Sequence, residues 1–165
     1  MLAAPLLLLP SAVRAQAWSE FRNDEGNYRI RMPGAPALQV VPISVGNDET
    51  APMIEAFVRT PAAAYQVAHV TYPRRVAQSA SADVLLDRFR NNMAAGSTYR
   101  GEKRLSLGRF PGREFLVLEA GGRNTAVRLY WVRGRLYQLM VTGAVGIETT
   151  PDTRTFMESF ALISP

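Results

Sequence analysis

Tyr28, Ile30 and Met32 alternate with Arg29 and Arg31, the period of two that belongs to a strand with one buried and one wet face. The apolar set turns to a core and the arginines to water. Extended segments recur along the chain at 37–45, 52–59, 64–72, 98–107, 112–120, 123–132 and 135–142. Between them stand turn formers: Pro33-Gly34-Ala35-Pro36, Gly46-Asn47-Asp48-Glu49, Gly108 to Gly112, Gly121-Gly122 and Arg133-Gly134. Connections this short force antiparallel neighbours, because a parallel pair needs a crossover of roughly a dozen residues or more. A twisted, mainly antiparallel sheet is predicted. Pro42 supplies no N–H to a ladder, which assigns its strand to an edge.

Two segments carry the helical period instead. Ala82, Leu85, Leu86, Phe89 and Met93 stand at i, i+3, i+4, i+7 and i+11, one apolar stripe. Ser81 is placed to cap this helix, Asp83 and Asp87 suit its early turns, and Gly96 suits its end. A second, shorter helix starts with Thr150 as cap and Pro151 at its first position, and turns Phe156, Met157 and Phe160 towards the core. The fold class predicted is α+β, with helices packed on the sheet.

Residues 1–17 form an apolar run closed by small residues, with Ala15 and Ala17 in the A-x-A pattern of a signal peptidase site. They are expected to be a cleaved signal peptide, although the usual basic opening is missing, which leaves open a true start upstream of Met1. Pro5 and Pro10 interrupt the run, and it falls short of the roughly 20 apolar residues that cross a bilayer. Residues 18–165 then form one domain, periplasmic or secreted, with no transmembrane segment. The chain has no cysteine, which excludes thiol nucleophiles, disulfides, thiolate zinc sites and iron–sulfur clusters.

Several pieces together resemble the PsbP-like fold family. They are Trp18-x-x-Phe21 with Tyr28 to Pro36, Ala64-Tyr65-x-Val67 through Tyr72-Pro73, Leu107 to Glu114, Arg128 to Val141, and Phe156 to Phe160. The resemblance implies an α/β/α sandwich, an antiparallel sheet with helices on both faces. It also implies action by docking to other macromolecules, and it carries no catalytic residue across. The chain departs from the family pattern at His69, where an aromatic is common, and at Thr71, where Asp is common.

A search for chemistry yields little. His69 is the only histidine, so any His-dependent triad must use it, and no G-x-S-x-G elbow accompanies it. It reads as an imidazole filling an aromatic-like position in a strand. Asn23 to Asn27 and Asn47 to Thr50 are oxygen-rich, yet neither follows the ligand spacing of a calcium loop, and both read as turns. No catalytic residue, cofactor or metal site is expected. Charge is the uneven feature: residues 100–135 hold nine basic and three acidic residues, net +6. Arg128 and Tyr130, with Arg133 and Arg135 at the adjoining turn, are the candidate partner-binding residues. The function expected is an exported, non-catalytic binding or assembly module that docks to a protein or an anionic envelope surface. Nucleic acid is not an expected partner. The alternatives are a hydrolase using His69 or a carboxylate pair between helix 81–96 and the sheet, and a carrier of small apolar ligands or hydrophobic segments.

Overall fold

A computed structural model describes residues 17–46 and 48–163, so the expected leader lies outside the described residues except for Ala17. The chain opens with β1 (Ser19–Asn23) and β2 (Tyr28–Met32), then runs through β3 (Ala37–Gly46), β4 (Glu49–Arg59) and β5 (Ala63–Thr71). A helical segment follows, α1 (Arg74–Ala77) and α2 (Ala82–Met93). Four long strands come next: β6 (Thr98–Leu107), β7 (Phe110–Glu119), β8 (Arg123–Val132) and β9 (Arg135–Ala144). A short 3-10 turn, α3 (Pro151–Glu158) and β10 (Ala161–Leu162) close it.

The strands form two antiparallel sheets, one of seven strands in the order β3-β4-β5-β9-β8-β7-β6 and one of three in the order β1-β2-β10. Two meanders, β3 to β5 and β6 to β9, meet where β5 pairs with β9. The α1–α2 segment carries the chain from β5, inside the sheet, to β6 at its far edge. The fold is α+β and mainly antiparallel, as the alternation and short turns predicted. The three-stranded sheet was not visible as a separate layer in the sequence, because β10 is two residues long and pairs with β2 across the whole domain.

The centre of the large sheet is buried on both sides. On one side Phe115, Val127, Leu129, Trp131 and Leu136 pack with Leu85 and Leu86 of α2. On the other, Leu116, Tyr130, Val132, Tyr137, Leu139 and Val141 pack with Tyr28, Ile30 and Met32 of β2 and with Phe156, Met157 and Phe160 at the chain's end. That second layer is a small sheet together with α3. The caps read from the sequence hold both longer helices: Ser81 Oγ accepts from Val84 N at 3.4 Å, and Thr150 Oγ1 from Thr153 N at 3.2 Å. Gly112 is needed as glycine, since a Cβ there would lie 2.6 Å from the Leu129 carbonyl oxygen and from the Tyr130 ring.

Two polar groups inside these layers decide how the fold answers to substitution and pH. Arg113 of β7 faces α2 and is 1% exposed. Its guanidinium reaches Asp83 at 2.6 Å, Asp87 at 3.2 Å and Glu102 at 3.4 Å. Hydrogen bonding from Arg113 holds the Asp83 carboxyl below its ordinary range. The arginine is sealed while its partners reach water, so the two ends of the network are unequal. Asp83→Asn and Asp87→Asn together with Glu102→Gln strand a buried cation and are expected to cost about 3 kcal/mol of unfolding free energy. Arg113→Met leaves only solvated carboxylates behind and is expected to cost less than half as much in chemical denaturation.

His69 sits on the opposite face, 2% exposed, between the rings of Tyr28 and Tyr137 at 5.7 and 6.3 Å. Its Nδ1 has no hydrogen-bond partner. Burial first, and then the charge of Arg135, lower its pKa from 6.5 to about 4. The unfolded chain therefore takes up a proton at higher pH than the folded one. Stability is complete above pH 6.5 and falls as pH drops from there to about 4, a loss on the order of 3 kcal/mol. Replacement by Phe, which suits an aromatic layer, should flatten that limb of the stability–pH curve.

Candidate functional site

The four residues marked for contact lie along one path from mid-sheet to its end. Arg128 and Tyr130 occupy alternate positions of β8 and share the face that carries β2 and α3. Arg128 Nε donates to Glu114 Oε2 on the neighbouring strand, and Nη1 donates to the Met157 carbonyl of α3 at 3.0 Å. Tyr130 is buried and stacks on Phe160, ring centroids 5.7 Å apart with the planes 4° from parallel. Arg133 and Arg135 stand at the β8–β9 turn. Arg135 is tied inward, Nη1 donating to the Glu25 carbonyl at 3.0 Å and Nε to Thr71 Oγ1 at 3.1 Å. Arg133 is exposed, with φ +49°, a left-handed conformation that favours glycine or asparagine over arginine.

Two depressions open on this flank. One, about 470 Å³, lies between β6–β8 and α3, with Leu116, Ala126 and Met157 in its lining. Arg100, Lys103, Arg128 and Arg154 line it too, against Glu114, Glu148 and Glu158. The Arg100–Glu148 and Lys103–Glu114 pairs are long, both 3.8 Å, and exposed pairs of that kind hold little free energy. The other is a shallow, open groove of about 520 Å³ at the sheet's end, lined by Leu107, Phe110, Ala161 and Leu162. Arg109 and Arg133 form its rim.

Those two arginines converge on one ring. The Arg109 guanidinium carbon lies 5.3 Å from the Phe110 centroid and that of Arg133 lies 5.5 Å from it. Neither forms a salt bridge with a described residue. A cation–π contact at an exposed site is worth about 0.5–1 kcal/mol and cancels no charge. The result is an apolar floor under two uncompensated positive charges, a combination that attracts an acidic segment with an apolar side chain. Arg109 and Phe110 were passed over in the sequence as turn residues. The only signal was a basic–aromatic pair at a hairpin tip; its closeness to a second tip at 133–134 comes from strand register.

Other chemical candidates are occupied. His69 lies in the aromatic layer between β2 and the large sheet, neutral and without access to solvent. The acids between α2 and the sheet, Asp83, Asp87 and Glu102, converge on Arg113. In the first oxygen-rich turn Asn23 Oδ1 accepts from Gly26 N at 2.6 Å and Asp24 pairs with Arg22 at 2.7 Å. In the second, Glu49 pairs with Arg75 at 2.6 Å, while Asn47 lies outside the described residues. Among the described residues no three His, Asp or Glu side chains are grouped to hold a metal ion, and no helix is long and apolar enough to cross a membrane.

No protein-family model and no curated protein matches the chain. Among solved structures it is similar to the cyanobacterial PsbP, CyanoP, of Synechocystis sp. PCC 6803, at 15% identity and TM-score 0.58. That match covers 94% of this chain and 98% of that one. A second is PA94 of Pseudomonas aeruginosa, described as a protein of unknown function and putative regulator. Its identity is 9%, its TM-score 0.44, and it covers 83% of this chain and 90% of that one. The likeness to CyanoP extends over nearly the whole of both chains, and what it shows is a shared PsbP-like α+β fold.

Proposed function

We propose that this chain is an exported, non-catalytic accessory module that docks to an acidic protein through the basic flank of its large sheet. The observation that carries the reading is the pair Arg109 and Arg133 over Phe110, unneutralised above an apolar groove. Arg133 and Gly134 both hold the left-handed conformation that a two-residue turn between β8 and β9 requires, and this fixes Arg133 at the hairpin tip. Arg128 and Tyr130 serve the same flank from beneath, fastening β8 to α3 and Phe160. Arg135 positions the turn against the β1–β2 loop. Residues 1–17 act as a signal peptide, and the mature domain works in the periplasm or outside the cell. There its helices and small sheet cover the large sheet's faces as in an α/β/α sandwich.

Docking of this kind depends on exposed charge and weakens with salt. Crosslinking in the native compartment identifies the partner, and titration of purified protein then measures it. Arg109→Glu and Arg133→Glu are each expected to weaken binding about tenfold, with thermal stability moved by less than about 0.5 kcal/mol because both side chains are exposed. A partner that is basic, or one held equally well by the double variant, would overturn the reading. Arg128→Ala should also weaken binding, accompanied by loss of stability where α3 docks.

A further inference from the structure

The two edges of the large sheet are built differently. β6, at one edge, carries Arg100, Glu102, Lys103 and Arg104 and is broken by a bulge between Arg100 and Lys103. Charge and bulges are the devices that keep an edge strand from pairing with another chain. β3, at the other edge, has ten residues without a single charge; its own bulge, between Ser44 and Gly46, and its Pro42 lie beyond the stretch 37–41. Leu38 and Val40 stand on one face of it, 62% and 65% exposed. They are two of the four large apolar side chains left exposed among the described residues. Across the ladder Val40 faces the half-buried Ile54 and Leu38 faces the buried Ala56, so the exposed apolar pair stands at the margin of the core.

We infer that β3 is a homodimer interface: a second copy adds its own β3 antiparallel, about a two-fold axis through Gln39. The sequence around that point is self-complementary. In this register Leu38 faces the partner's Val40, Ala37 faces the partner's Val41, and Gln39 faces its own copy. Pro36 falls opposite the partner's Pro42, so the two residues that lack an N–H bound the paired segment and interrupt no ladder bond within it. A slip by one residue would set Leu38 opposite Gln39, or Ala37 opposite Pro42, and end the match of proline with proline. Within the paired register the axis runs perpendicular to the sheet, and the apolar side chains of both copies form one stripe on one face. Absence of charge removes the repulsion that two like edges otherwise meet. The interface lies at the opposite edge from the basic flank, so it leaves that flank free.

Sedimentation equilibrium of the purified protein is expected to show a reversible, concentration-dependent dimer. Leu38→Lys with Val40→Lys should weaken it at least tenfold while leaving thermal unfolding of the dilute monomer unchanged, because both side chains are exposed in the single chain. The chain contains no cysteine, so Gln39→Cys introduces a lone thiol. Under mild oxidation it should form a disulfide-linked dimer much faster than Ser106→Cys on β6, since directly opposed residues bring their Cβ atoms within bonding reach. A monomer at every concentration would contradict the inference, as would a dimer indifferent to the two lysines or equal crosslinking from both edges. A monomer whose β3 instead takes up an unrelated extended peptide would contradict it too.

Discussion

Everything in this structure depends on the central strands of the large sheet being covered on both sides. β8 is largely apolar on each face, and β5 and β9 on most of theirs, so Leu129 and Trp131 meet α2 while Tyr130 and Val132 meet β2 and the segment 156–160. A strand buried twice has no wet side, and any polar residue on it must find a partner inside the protein. Thr125 and Thr142 do so with each other at 2.7 Å across the ladder. Arg128 does so with Glu114 and a helix carbonyl. His69, whose Nδ1 has no hydrogen-bond partner, is the exception and stays neutral.

From that constraint follows where function can reside. The two faces are filled, so contact with other molecules is left to the margins: the turn end at Phe110, the cleft beside α3, and the edges. Charge is sorted the same way. Arg113 is consumed internally by three carboxylates, while Arg109, in the turn that opens the same strand, forms no salt bridge with a described residue. A cluster of basic residues in a sequence is therefore not yet a basic surface. Register decides which members are structural and which are presented.

The local rules were legible. Alternation marked β2, the i, i+3, i+4 stripe marked α2, and Thr150-Pro151 marked the start of α3, because each is a short-range pattern fixed by backbone geometry. Long-range covering was not. Parity placed Arg128 and Tyr130 on one face, but that face is closed by Phe160, thirty residues on, which pattern cannot reveal. α1 was missed because four residues after Pro73 carry no stripe. The groove was missed for the same reason as the small sheet: both assemble from segments far apart in the chain, Leu107 to Phe110, Arg133, and Ala161 with Leu162.

The claim that only the centre of the large sheet is covered twice, while its margins stay open, is tested most directly by residue-resolved amide hydrogen exchange in dilute solution. Amides of β5, β8 and β9 should exchange only through global unfolding, with those of β6 and the outer half of β3 at least about 100-fold faster through local opening. Equal protection from β3 to β6, or a β9 that exchanges as freely as the edges, would contradict it.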